Sequence, residues 1–174
     1  MLQELEVDIF IRLQEEPDRA ADILGRALGT SFTADEDEAL ELPAYNAQGL
    51  GFGATLWSNE GEALDPEFED YHFGLTITSQ YWCVDLDTVD LESGLSEYYA
   101  RLLAFHLNVE TATEILLETT EDAEILEIRT FKRNPQYRLD QSPTVPRVFV
   151  AETRTVEAPF DDEDDVEDED GTEF

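Results

Sequence analysis

Between Ala27 and Ala100 the sequence has no Lys and no Arg, while 16 Asp and Glu fall in the same 74 residues. The whole chain has one lysine, Lys132, against nine arginines. Binding to phosphates needs cationic side chains that release counterions, so direct capture of nucleic acid or of an anionic membrane is excluded. Cysteine is almost absent. Cys83 stands alone, which rules out an internal disulfide and a cysteine-based metal site. A lone Cys of this kind reads as a small buried hydrophobe. Histidine is nearly absent too, with only His72 and His106. Nucleophilic catalysis needs a base in reach of the nucleophile, and neither histidine has a motif around it. His106 falls on an apolar stripe and reads as a core or boundary residue. No apolar run approaches the roughly 20 residues of a membrane span. The start, MLQELEVD, has neither the basic region nor the apolar run of a signal peptide. A soluble, cytoplasmic protein is the expectation.

What the chain has is acid and apolar surface. Its 174 residues are 41% hydrophobic and include 10 Phe, enough for one real core. The net charge is −33 from 43 acids and 10 bases. Residues 157–174 hold 11 acids and no base, so residues 1–156 keep a net charge of −22. We therefore expect a single α+β domain over 1–156. The segment APFDDEDDVEDEDGTEF has nothing to bury and is expected to be a disordered acidic tail, residues 157–174.

Leu5, Val7, Ile9, Ile11 and Leu13 alternate with Glu4, Glu6, Asp8, Phe10 and Arg12, a period of two that predicts a half-buried strand. Glu16-Pro17 opens a helix, because proline at the first position loses no hydrogen bond and Asp18 suits the positive end. Ala20, Ile23, Leu24, Ala27 and Leu28 form its stripe, and Gly29 stops it. Gln48 to Ser58 reads as one strand with Gly49, Gly51 and Gly53 on a bare face. Tyr71 to Leu91 reads as a long strand ending in carboxylates. A second helix starts near Ser93 or Ser96, with Leu95, Tyr98, Tyr99, Leu102, Leu103 and His106 as its stripe. Residues 109–122 fit helix or strand equally. Glu124 to Phe131 and Arg147 to Val156 read as strands, the last at an edge. This order predicts a mostly antiparallel sheet with two helices packed on one face, ferredoxin-like in sequence of elements.

Chemistry-bearing patterns are sparse. The glycines at 49, 51 and 53 lack the following helix start and the lysine of a phosphate loop. Asp85, Asp87, Asp90 and Glu92 offer oxygen ligands for a hard cation, yet Val89 and Asp90 break the calcium-loop pattern. Paired carboxylates are so frequent that pairing carries no signal for acid–base catalysis. Arg129, Lys132, Arg133 and Arg138 make one basic cluster, which most simply pairs with the chain's own acids or its tail. The run from Asp161 to Phe174 is similar in flavour to the C-terminal tips of bacterial and phage single-stranded-DNA-binding proteins, which recruit basic partners. The body lacks the basic, aromatic groove that binding single strands requires.

The reading is a non-enzymatic acidic protein, with no cofactor and no metal, that covers a basic surface on a protein partner. Nucleic-acid enzymes and toxins are the natural clients. Duplex DNA carries a charge about every 1.7 Å of axis. Asp35, Glu36, Asp37 and Glu38, then Glu60, Glu62, Glu67, Glu69 and Asp70, then Asp85, Asp87, Asp90 and Glu92, are expected to imitate part of that density. Trp57, Phe68, Tyr81 and Trp82 are the expected aromatic anchors. In charge and size this resembles inhibitors, immunity proteins and DNA mimics. The alternatives are a small acidic chaperone for a basic or secreted client, a cation-dependent enzyme using Asp85, Asp87 and Asp90, and a housekeeping domain of a salt-adapted organism.

Overall fold

The strand predicted from Leu5 to Leu13 is the centre of the molecule. In the computed structural model of the chain, which describes residues 2–35, 44–49, 52–60, 66–82, 88–120, 123–137 and 148–159, β1 spans Leu2–Ile11. Seven more strands follow: β2 (Thr33–Ala34), β3 (Ala44–Gly49), β4 (Phe52–Ser58), β5 (Phe73–Trp82), β6 (Thr111–Thr119), β7 (Ala123–Arg133) and β8 (Phe149–Pro159). They form one sheet in the order β2-β3-β4-β5-β1-β6-β7-β8, and every pair is antiparallel. Helix α1 (Pro17–Leu28) follows β1, and helix α2 (Thr88–Leu107) precedes β6. The chain is thus α+β and strand-rich.

The two faces of β1 sort the core. Val7, Ile9 and Ile11 join Leu24 of α1, Leu103 of α2 and Leu75 of β5 in the larger cluster. Helix α1 forms as its sequence dictates. Pro17 sits in the first turn, and Gly29 ends the helix with φ of 70°, a left-handed conformation open to glycine at little cost. Helix α2 buries Leu103 together with Ser96, Ala100 and Ala104, three small residues that let it lie close to the sheet. Thr111 opens β6 with its hydroxyl donating to the Ala100 carbonyl at 2.8 Å, which ties strand to helix inside the core.

The opposite face of β1 is not bare. Phe10, Phe68, Tyr71, Ala112 and Ile128 make a second buried cluster. Phe10 and Phe68 stack with ring centroids 3.6 Å apart. Phe68 comes from a 3-10 turn, Pro66–Phe68, that folds over this face. Asn59 fixes the turn. Its side-chain amide donates to the carbonyls of Phe68 (2.9 Å) and Tyr71 (2.8 Å), and it is buried.

Several expectations need correction. Gln48 to Ser58 is not one strand but the hairpin of β3 and β4, with Gly49 paired to Phe52 and Gln48 to Gly53. Gly49 and Gly53 stand on different strands of the hairpin, and alternation alone does not reveal a reversal of direction. A Cβ on Gly49 would meet the Phe52 ring, not another backbone. Tyr71 to Leu91 is not one long strand: β5 stops at Trp82 and α2 has begun by Thr88. Residues 111–119 are strand, β6. His106 is exposed, not a core residue, and so is Tyr98 at 59%. The final strand extends three residues past Val156, to Pro159, and lies at the sheet edge as expected. Residues 160–174 lie outside the described residues.

Candidate functional site

The acids expected to form one face have different fates. Glu67 and Asp70 are spent on the protein itself. Arg154 pairs with Glu67 at 3.1 Å and also donates to its carbonyl. Arg12 bridges Asp70 (3.2 Å) and Glu110 (3.3 Å). The Tyr71 hydroxyl donates to Glu110 as well, at 3.1 Å. Burial, and then the Glu110 carboxylate, push the Tyr71 phenol well above its usual range. These bonds clamp the turn at Pro66–Phe68 onto the second cluster. Asp35 accepts from the Asn46 amide at 2.7 Å. Glu60 and Glu69 are exposed. Glu60 shares a wide hollow with Glu15, Glu16 and His72 at the start of α1. Glu36, Asp37, Glu38, Glu62, Asp85 and Asp87 lie outside the described residues.

Phe68 is buried against Phe10 and is no exposed anchor, and Trp57 is a structural residue more than an exposed one. It is half-buried in β4, opposite Gly74 of β5, and its indole covers that glycine. Its N–H donates to Thr76 Oγ1 at 3.1 Å, and Phe10 meets it edge-on. Thr76 in turn donates to Asp8 at 2.6 Å. Tyr81 and Trp82 end β5, and Asp90 lies in the first turn of α2.

Among the described residues, Glu92 alone of the expected set lines the feature that sequence reading missed. The β1–β6 ladder has two pairs, Phe10↔Ala112 and Ile11↔Thr111. Toward the start of β1 the strands part, although β1 pairs with β5 along its whole length. The register gives a reason. The next hydrogen-bonded pair would set Asp8 directly opposite Glu114, and like charges at that position are destabilising. A bulge between Leu116 and Glu118 bends β6 further on. The opening is a cleft of about 320 Å³. Carboxylates line it from four elements: Glu6 and Asp8 on β1, Glu92 on α2, Glu114 on β6 and Glu124 on β7.

Neutralisation is uneven. The described arginines in ion pairs serve Glu67, Asp70, Glu97, Glu110 and Glu127. Among the described residues, no Lys or Arg pairs with Glu6, Asp8, Glu92 or Glu124. The basic cluster partly meets expectation. Arg129 pairs with Glu97 and Glu127, and Arg133 lies over the Phe105 ring at 4.8 Å. Arg138 lies outside the described residues. Among the described residues, no group of three or more His, Cys, Asp or Glu has the geometry to hold a metal ion. No described helix is long and apolar enough to cross a membrane. No protein-family model, curated protein sequence or solved structure matches the chain.

Proposed function

We propose that the chain is a non-enzymatic acidic binding protein that covers a basic surface of a protein partner, in the manner of an inhibitor, immunity protein or DNA mimic. One observation carries the reading. The described arginines neutralise acids around the Pro66–Phe68 turn and the α2–β7 contact, and among the described residues no Lys or Arg pairs with the cleft acids Glu6, Asp8, Glu92 and Glu124. Carboxylates from four elements crowded at one opening raise a local negative potential that attracts cations. A guanidinium or ammonium entering the cleft relieves that repulsion. A nucleic-acid enzyme or a toxin with a Lys- and Arg-rich surface is the client class, and the cytoplasm the expected setting. The order β4-β5-β1-β6, with helices after β1 and before β6, supports a ferredoxin-like centre carrying two added hairpins.

Calorimetry with oligo-arginine tests the reading. One variant carries Glu6→Gln, Asp8→Asn, Glu92→Gln and Glu124→Gln. A control removes the same charge from exposed acids elsewhere, by Glu15→Gln, Asp22→Asn, Glu152→Gln and Glu157→Gln. The cleft variant is expected to bind about tenfold more weakly at low salt, as loss of several charge-assisted contacts implies. Equal losses in both variants, or no binding by the native chain, overturn the reading.

A further inference from the structure

We infer that the open edge of β1 takes up an extended segment of the partner, which adds to the sheet as a strand bearing Lys or Arg at alternate positions. The inference rests on the reading above and names how the partner is held.

Main-chain geometry comes first. The Arg12 N–H donates to the Glu110 carbonyl at 3.0 Å, across to the start of β6. Alternate residues of a strand turn their N–H and C=O the same way. Phe10, Asp8 and Glu6 therefore aim theirs at the β6 side, and Val7 and Ile9 aim theirs at β5. Phe10 has its strand partner in Ala112. Among the described residues, Glu6 and Asp8 have no strand partner on that side. Backbone groups in a sheet are paired almost without exception, and an open strand edge is a template for another chain. Strand addition is a common way to use it.

Side-chain chemistry then selects the occupant. A strand laid along β1 has one face toward Glu6, Asp8 and Glu114 and the other toward Glu92, Ser93 and Ser96 of α2. Cationic side chains on the first face replace the like-charge opposition of Asp8 and Glu114 by attraction. Leu116, 46% exposed at the cleft, offers an apolar surface for the stems of long Lys or Arg side chains. Since β1 and β6 run antiparallel, an inserted strand is antiparallel to only one of them. The partner strand docks antiparallel on β1, the edge with two open positions.

The test uses the full chain and two synthetic eight-residue peptides of alternating Arg and Thr. One is unmodified. In the other the main-chain nitrogens of the Arg residues, which lie opposite Glu6 and Asp8, are methylated, which keeps the charge and removes the donors that face β1. Amide hydrogen exchange is followed at Glu6 and Asp8, and affinity by calorimetry. The expected result is fast exchange at both amides in the free chain, slowing when the unmodified peptide binds. The methylated peptide is expected to bind about tenfold more weakly, the scale of a few lost hydrogen bonds. Equal affinity for the two peptides overturns strand addition and leaves charge capture standing. Slow exchange in the free chain also overturns it, because the edge is then closed by the chain itself. Binding of neither peptide overturns both readings.

Discussion

At the scale of single residues, polar groups do the fastening that an acidic chain cannot leave to charge. Asn59 holds two carbonyls of a turn that would otherwise face an apolar cluster. Asn59→Ala leaves those acceptors without a partner and is expected to cost about 1–3 kcal/mol in urea unfolding. Tyr71 and Tyr45 are expected to give the fold an alkaline limit. Burial, then the hydrogen bond to Asp18, raises the Tyr45 phenol to about 12, and Tyr71 is raised further. A phenol whose folded value exceeds its unfolded value of roughly 10 holds its proton more tightly when folded. That contribution is complete below pH 10 and declines as the pH climbs above it. Stability of the native chain is therefore expected to fall between pH 10 and pH 12. The variant Tyr45→Phe, Tyr71→Phe starts less stable but shows a shallower decline, and denaturant unfolding at stepped pH checks it.

At the scale of elements, the decisive feature is where β1 and β6 stop pairing. The two strands are zipped at Phe10 and Ile11 and open at Asp8. If repulsion between Asp8 and Glu114 holds them apart, reversing one charge closes the gap. Glu114→Arg is expected to extend the ladder and slow hydrogen exchange at the Asp8 amide about tenfold or more, as a new hydrogen-bonded pair implies. The same substitution is expected to weaken binding of oligo-arginine. Unchanged exchange would assign the opening to the bulge in β6 and to the helix beneath it, with no part for charge.

At the scale of the whole molecule, a net charge of −33 opposes compaction. Salt screens that repulsion over a Debye length of about 10 Å at 0.1 M, and shorter above. The melting temperature is expected to rise between 0.05 M and 0.5 M NaCl while affinity for a basic partner falls. Calorimetric scans and titrations in the same buffers measure both. A chain that stays folded at low salt and loses only binding at high salt fits an electrostatic capture protein. A chain that unfolds near physiological salt fits the housekeeping domain of a salt-adapted organism.

Much of this was legible along the chain. The alternation of Leu5, Val7, Ile9 and Ile11 specifies β1 and its buried face, because side chains in a strand alternate sides. Pro17 and Gly29 bracket α1, because each suits one end of a helix and little else. The scarcity of bases sets the electrostatic character before any folding. Other features depended on distance in space. Nothing local marks Gly49 and Phe52 as partners across a hairpin, Trp57 as the cover of Gly74, or Phe68 as the stacking partner of Phe10. The cleft is the clearest case. Glu6, Asp8, Glu92, Glu114 and Glu124 are ordinary acids in a sequence full of them. They become a set because the sheet order puts β6 beside β1 and the register halts at two like charges. Composition fixes how much charge the chain carries; strand pairing, set by long-range contacts, decides which charges are brought together.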